Sequence, residues 1–476
     1  MQYSRKQTIY KHFETIAESY LQYQKRFSYY KNDIINYCNF FISDTDSVLE
    51  IGCSSGETIS NLKGDYKVGI DFSPKMIEIA KSNFSNTNFF VMDAENIILD
   101  TKFDVIIFNN IIGYLDNIQS VFYAVKRNCH EHTRIIISYY NCYWEPILNF
   151  GELVGYKTKA PRQNWLSTDD ISNLLYLSGF ETYHTNKRLL LPIYIPLLSR
   201  LINTYIAKLP LFRLLCLNQF SFARPVLNYT EKQVAEKYSV SICIPARNES
   251  KNIENIILRL PKFGKHQEII FVEGNSTDNT WQKIQEIQQK YTATHDIKIT
   301  QQAGKGKGDA VYKGYSMATQ DILMILDADL TMPPEELSKF YNAIATGKGE
   351  FINGSRFIYP MEKEAMRFLN ILGNKFFSHI FSWLLEQPIT DSLCGTKVMF
   401  RKDYLKLTRS RFSFGNLDPF GDFDLLFGAY KLNLKIIDLP IRYQKRTYGS
   451  TNISRFKNGL MLLQMCWFAA WKIKFR

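Results

Sequence analysis

The stretch DILMILDADLTMPPEEL, Asp321–Leu337, decides how the second half of the chain is read. Its apolar run, Ile322 to Leu326, reads as a buried strand and leads straight into Asp327, Ala328 and Asp329. Two carboxylates at the end of such a strand stand on one side of the turn that follows. Hard divalent cations such as Mg²⁺ and Mn²⁺ take oxygen ligands of this kind and share them with a diphosphate. A second role is open as well. Pro333, Pro334, Glu335 and Glu336 follow, so Asp329 also suits a helix cap.

Upstream, the same alternation of strand, turn and helix begins at Val240. SICIPARNE (Ser241–Glu249) reads as a strand ending in Pro245, Ala246, Arg247 and Glu249. EIIFVEGNSTDNT (Glu268–Thr280) reads as a second strand, ending in Glu273, Asn275 and Asp278. GKGKGDA (Gly304–Ala310) reads as a glycine-lysine turn suited to phosphate, with Lys307 and Asp309 at its end. In this order the motifs resemble the family 2 glycosyltransferases, which have the GT-A fold, over about residues 238–455. The resemblance implies a nucleotide-sugar site at Pro245, Ala246, Arg247, Glu249, Glu273, Asn275, Lys307, Asp309, Asp327 and Ala328. It implies Mg²⁺ or Mn²⁺ on Asp327 and Asp329. Glu273 stands where that family usually has Asp.

Downstream motifs bear on the acceptor. Arg356 lies in NGSRF, Arg367 in EAMRFLN, and Asp391 and Gly395 in ITDSLCGTKVMF. IRYQKRTYGSTNI carries Arg446, Gly449, Ser450 and Asn452. This set is similar to the polyprenyl-phosphate sugar synthases of the dolichyl-phosphate mannose and glucose type. That similarity implies inverting transfer to a lipid phosphate, with arginine forks suited to phosphate. A lipid phosphate is already a competent nucleophile at neutral pH. A saccharide hydroxyl would instead want a general base, for which Asp422 and Asp424 in PFGDFDLL, or Asp391, are the candidates. Relatives often end in transmembrane helices, whereas this chain ends in one short apolar tail, Gly459–Arg476.

The first half carries a different set. VLEIGCSSGETI (Val48–Ile59) puts Gly52 and Gly56 in the turn between a strand and a helix, where backbone N–H groups approach a ligand closely. Asp71 ends the next strand, where a carboxylate accepts both hydroxyls of a ribose, and Asp93 follows the third, in reach of an adenine edge. This order resembles the class I S-adenosylmethionine-dependent methyltransferases over roughly residues 45–182. It implies a cofactor site at Glu50, Gly52, Gly56, Asp71, Asp93, Ala94 and Asn109. Ser54 and Ser55 fill turn positions that are often Gly or Thr. No spacing identifies a catalytic base. Tyr139, Tyr140 and His132 are candidate substrate contacts, each with a structural role as the alternative.

The fold class expected is thus α/β, two domains in series: a Rossmann-like methyltransferase domain at 1–185, an apolar helical segment and linker at 186–238, and a GT-A domain at 239–476. A chain of 476 residues is too long for one ordinary core. The net charge of +12 favours anionic partners such as a membrane surface, nucleotides or phosphorylated lipids. No finger, basic repeat or Arg-rich arm points to nucleic acid, and Asn109-Asn110-Ile111-Ile112 lacks the Asn-Pro-Pro-Tyr pattern of nucleic-acid methylation. Eight cysteines with no C-x-x-C pair suit a reducing cytosol, and the N-terminal residues lack the apolar core of a signal peptide. Leu189–Leu217 is apolar but interrupted by Arg200, Lys208 and Arg213, which suits either an interfacial helix pair or a helical subdomain. The combined expectation is a bifunctional enzyme at the cytoplasmic face of a membrane. A saccharide-directed transferase, with an inactive N-terminal docking module, is the alternative. The sequence leaves the sugar, the methyl acceptor and the oligomeric state open.

Overall fold

The computed structural model describes residues 5–357, 368–409, 421–444, 446, 448 and 455–475. The chain divides into two compact units, Met1–Val226 with Lys474–Arg476, and Leu227–Ile473.

The first unit is built on strands β1 (Ser47–Ile51), β2 (Tyr66–Asp71), β3 (Asn88–Val91), β4 (Phe103–Asn109), β5 (Cys129–Tyr140), β6 (Phe180–Arg188) and β7 (Asn218–Pro225). They lie in the order β3-β2-β1-β4-β5-β7-β6. The first five run parallel, and β7 is antiparallel to both β5 and β6. Helices cover both faces of such a sheet, so its central strands read as continuous apolar runs. Val48, Leu49 and Ile51 of β1 and Val105 to Phe108 of β4 are all buried.

One expectation is corrected here. Residue 185 lies inside β6, and 186–238 is not a separate helical segment and linker. The short helices Leu198–Thr204 and Pro210–Arg213 bridge β6 to β7, and β7 is inserted between β5 and β6. NQFSFARP alternates over Gln219-Phe220-Ser221-Phe222 as a strand does, and all eight of its residues are buried, including the polar Asn218, Gln219 and Arg224, so it is an interior strand. Arg224 is kept inside by its ion pair with Glu181 at 2.6 Å. The polar stretch at 230–239 likewise packs on the second unit. Val234 is fully buried there, and its carbonyl accepts from the Tyr341 hydroxyl at 2.6 Å.

The second unit has strands β8 (Val240–Ala246), β9 (Gln267–Glu273), β10 (Asp296–Gln301), β11 (Ile322–Ile325), β12 (Phe351–Ser355), β13 (Lys397–Phe400) and β14 (Ile436–Pro440). Their order is β10-β9-β8-β11-β13-β12-β14. β8 to β11 are parallel neighbours, and β13 runs antiparallel to β11 and β12. Ile322 to Leu326 are fully buried, and each such side chain contributes about 1.5–3 kcal/mol. That anchorage fixes where the following acids emerge. Among the described residues, no helix is long and apolar enough to cross a membrane.

Candidate active sites

In each sheet the strand order reverses between two neighbours, β1 and β4 in the first and β8 and β11 in the second. A crevice opens beyond the C-terminal ends of such a pair, and ligands bind there.

In the first unit this crevice is a cavity of about 670 Å³. Glu50, Gly52, Asp71, Asp93, Ala94 and Asn109 all line it. Gly56 does not line it. Gly52 and Gly56 both hold left-handed backbones, φ +73° and +78°. A Cβ on Gly52 would stand 2.3 Å from Ile111 Cδ1, and one on Gly56 would stand 2.6 Å from the Phe89 ring, so neither position accepts a side chain.

Glu50 accepts from the Ile59 amide at 3.0 Å, and burial pushes its carboxyl up to about 8. Asp71 is oriented by the amides of Ser54 and Ser73, each at 2.9 Å, and burial pushes it up to about 6. Two backbone donors leave lone pairs of Asp71 for further hydrogen bonds. Asp93 pairs with Lys6 at 2.5 Å. Asn109 is held between the Thr58 hydroxyl, to which it donates at 3.1 Å, and the Ser138 hydroxyl, from which it accepts at 2.8 Å.

Some walls of the cavity escaped the sequence reading. The Arg5–Arg26 helix contributes Lys6, Ile9, His12, Phe13 and Ile16. Its aromatic-rich face was the available signal, but a helix far from the motifs in sequence gives no hint of its docking place. Burial lowers His12 below the ordinary histidine value, so a neutral imidazole borders the cavity. Tyr30 accepts from Asn110 Nδ2 at 2.7 Å, and burial beside Tyr140 pushes its phenol well up. Of the three candidate substrate contacts, Tyr140 lines the cavity. Tyr139 is buried in the core with its hydroxyl 3.3 Å from that of Ser221. His132 sits near the start of β5, at the end away from the cavity.

In the second unit, β11 delivers Asp327 and Asp329 as expected. Each meets a cation from another element. Lys307, opening the Lys307–Met317 helix, lies 2.6 Å from Asp327, and Arg446 lies 2.5 Å from Asp329. Burial opposes the charge on Lys307, but Asp327 and Asp422 outweigh it and hold the ammonium above its ordinary value. Asp329 also accepts from the Thr331 hydroxyl (2.7 Å) and amide (3.1 Å). It therefore closes its own turn and does not cap the Pro334–Glu336 turn, which has no side-chain cap. Glu249, at the end of β8, lies 3.5 Å from Arg446 and accepts from Asn252 at 2.7 Å. Burial pushes its carboxyl up to about 7. Gly395 closes this cluster. A Cβ there would stand 2.1 Å from Asp327 Oδ2 and 2.2 Å from Lys307 Nζ.

The remaining candidates separate. Arg356 and Asp391 hold each other in a bidentate pair, at 2.6 and 2.8 Å. Asp391 is fully buried and also accepts from Asn374 (2.8 Å) and from the amides of Arg356 and Leu393 (3.1 Å each). Burial alone would raise its carboxyl, but Arg356 outweighs it and keeps it below the ordinary value. A carboxylate so enclosed braces the fold. Asp424 is buried and accepts from the Tyr312 hydroxyl at 2.6 Å. Asp422 differs: it starts the Asp422–Lys431 helix, and its Oδ1 is buried without a hydrogen-bond partner among the described residues. Glu273 is engaged by the Ser276 amide (2.5 Å) and Gln301 (2.9 Å), and Asp309 by the Gly304 amide (2.9 Å). Asn275 donates to the Gly304 carbonyl at 3.2 Å. Arg247 is exposed just past β8, with Pro245 half-buried and Ala246 and Ala328 buried. Arg367, Gly449, Ser450 and Asn452 lie outside the described residues. Among the described residues, no group of three His, Cys, Asp or Glu forms a ready metal cage.

Comparison with known proteins assigns both units. Residues 42–170 match a family described as a methyltransferase domain, and residues 241–408 match glycosyl transferase family 2. This chain joins a methyltransferase domain to a family 2 glycosyltransferase domain. The glycosyltransferase domain is similar to a dolichol-phosphate mannosyltransferase of Pyrococcus furiosus, 37% identical over 122 residues, 25% of this chain and 33% of that protein. It is also similar to a UDP-N-acetylglucosamine–dolichyl-phosphate N-acetylglucosaminyltransferase of Methanococcus voltae, 28% identical over 235 residues, 47% of this chain and 91% of that protein. The match thus spans a third of the Pyrococcus protein and most of the Methanococcus one. A solved SAM-dependent methyltransferase of Thermotoga maritima, described as a possible histamine N-methyltransferase, is 15% identical with a TM-score of 0.37. It covers 45% of this chain and 99% of its own, a likeness too slight to argue from.

Proposed function

We propose that the glycosyltransferase domain moves a sugar from a nucleotide sugar to a polyprenyl phosphate, and that the methyltransferase domain is active with S-adenosylmethionine. The observation that carries the first half is the charge-matched cluster at the end of β11, Asp327 with Lys307 and Asp329 with Arg446. Its donor set is oxygen only, which fits Mg²⁺ or Mn²⁺. Asp327 and Asp329 would hold that ion, whose charge offsets the one developing on the leaving nucleoside diphosphate. Lys307 and Arg446 are the cations that turn to phosphate oxygens, because both already sit against the acids a diphosphate-bound ion would occupy. Arg247 and Asn275, beyond β8 and β9, are left to border the nucleoside. Glu249 orients Arg446. A phosphate acceptor needs no base, which suits a site whose Asp391 is sealed in a brace.

A saccharide acceptor is the second reading, and Asp422 favours it. Its charge acts on Lys307, and among the described residues its Oδ1 has no hydrogen-bond partner, unlike the carboxylates of Asp391 and Asp424.

In the methyltransferase domain, bound S-adenosylmethionine supplies an electrophilic methyl group. Asp71 would take the ribose hydroxyls and Asp93 the adenine edge. The neutral imidazole of His12 is the group able to accept the acceptor's proton.

The test is sugar transfer from labelled UDP- and GDP-sugars to undecaprenyl or dolichyl phosphate, with and without Mn²⁺, counted in the organic phase. Metal-dependent lipid-phase label, absent from Asp329→Ala, is expected. Donor turnover without lipid label would move the assignment to a saccharide. Calorimetry with S-adenosylhomocysteine tests the other half, and no heat on binding would make that domain a docking module.

A further inference from the structure

The outer side of the methyltransferase cavity is lined by side chains that also face solvent: Ile147, Phe150, Val154, Ile193 and Tyr194. Its mouth is therefore largely apolar, with the exposed Thr158 and Lys159 beside these groups. The apolar residues come from the Glu145–Leu153 helix with the turn after it, and from the excursion between β6 and β7. Hydrogen bonds tie the two together. Trp144 Nε1 donates to the Leu215 carbonyl at 2.7 Å, and Asn141 donates to those of Leu214 (2.8 Å) and Cys216 (2.9 Å). The excursion is also fixed within itself. Asn203 donates to the Leu191 carbonyl at 2.7 Å, and the Ser199 hydroxyl to that of Ile193 at 2.6 Å.

This ordered platform turns large apolar groups outward. Leu197 is 81% exposed and Leu211 78%, with Leu201 and Leu214 also exposed. Leu197 even holds a left-handed backbone, φ +64°, which leucine rarely adopts and which a fold retains where something else rewards it. An apolar patch this continuous marks an interaction surface.

Charge identifies the partner. No aspartate or glutamate stands between Glu181 and Glu231, while Lys187, Arg200 and Arg213 fall within that span with their side chains half-buried or exposed; Lys208, also in it, is buried. Arg200 is exposed among the leucines. On the excursion, apolar side chains are interleaved with cations and free of acids, and the two acids of the neighbouring helix, Glu145 and Glu152, are half-buried; such a surface suits the interface of an anionic bilayer. A second copy fits less well, since a two-fold contact would set this cationic face against itself.

We propose that this face seats the methyltransferase domain on an anionic membrane, and that the cavity takes its methyl acceptor, an amphiphile with its polar end inward, directly from the bilayer. The seating stands on the surface alone, whereas the acceptor's route rests on the methyltransferase reading.

The test uses the full chain and vesicles of phosphatidylcholine, with or without phosphatidylglycerol. Wild type is expected to sediment with the anionic vesicles. Leu197→Ser with Leu211→Ser should bind about tenfold more weakly or worse, and Arg200→Glu should bind more weakly on anionic vesicles only. Amide exchange over 193–215 should slow when vesicles are added. S-adenosylhomocysteine binding should be unchanged in these variants, which shows that they fold. The proposal falls if the leucine variant binds as wild type does. It also falls if binding is lost only in Trp467→Ser with Trp471→Ser, on the C-terminal helix. A wild type that ignores vesicles but forms a dimer broken by the leucine changes would make the face a dimer contact and overturn it. Vesicle binding without S-adenosylhomocysteine binding would keep the seating and remove the acceptor route.

Discussion

The two domains place their sites at the same point of similar parallel sheets, yet they equip it differently. In the methyltransferase domain the strand ends surround an open cavity, and two of their three acids are oriented by backbone amides, Glu50 by Ile59 and Asp71 by Ser54 and Ser73, while Asp93 meets a side-chain cation, Lys6. In the glycosyltransferase domain the acids at the end of β11 are matched by side-chain cations. A nucleoside with few charges needs shape and a few hydrogen bonds. A diphosphate would need charge that can be exchanged. The topology chooses where a ligand goes, and the residues on the strand ends choose its charge.

Four perturbations would break or sharpen this contrast. The largest effect is expected from Asp329→Ala. It should lower sugar transfer by about 10³-fold or more, because it removes the carboxylate that is proposed to hold the metal and strands Arg446, while S-adenosylhomocysteine binding stays intact. Loss of both activities would mean that the change unfolds the chain. Gly52→Val is the mirror experiment. With a left-handed backbone and Ile111 in the way, it should weaken S-adenosylhomocysteine binding by about 10²-fold or more and leave sugar transfer alone. Third, Gly395→Ala should cut sugar transfer by about tenfold with folding retained, since the added methyl group displaces Asp327 or Lys307. An unchanged rate would show that the pair does not hold phosphate or metal in place.

The smallest effect is on stability. Glu50 keeps its proton up to about pH 8 in the folded chain, against an ordinary value of 4.5. Between those values the folded state binds more protons than the unfolded one, so stability falls as pH rises. Asp71 adds a slope of the same sign up to about pH 6. Glu50→Gln should flatten the fall, measured by denaturant midpoints at about pH 5 and about pH 8. An equal slope in the variant would place the titration elsewhere.

The local motifs were the most legible part of the chain. Strand ends, glycine turns and the acid pair follow from short-range rules, and Gly52, Asp71, Lys307 and Asp327 stand where those rules put them. What misled was isolation. Asp391 in sequence is an acid near a glycine, with nothing to reveal that Arg356 and Asn374 will enclose it. β7 was missed although Gln219 to Phe222 alternate, because its polar residues suggest exposed chain until Glu181 from a neighbouring strand pairs with the buried Arg224.

By itself, then, the order of residues determined that there are two α/β domains and which side chains stand at the strand ends. Backbone sterics, apolar periodicity and turn chemistry act within a few residues, so the chain states them directly. Only the tertiary structure decided which of those acids stay open to a ligand and which are consumed as braces. It also decided that the Arg5–Arg26 helix walls one cavity and that the apolar excursion forms its mouth. Those outcomes depend on partners tens to hundreds of residues away, and burial and charge pairing act on whatever the fold brings together.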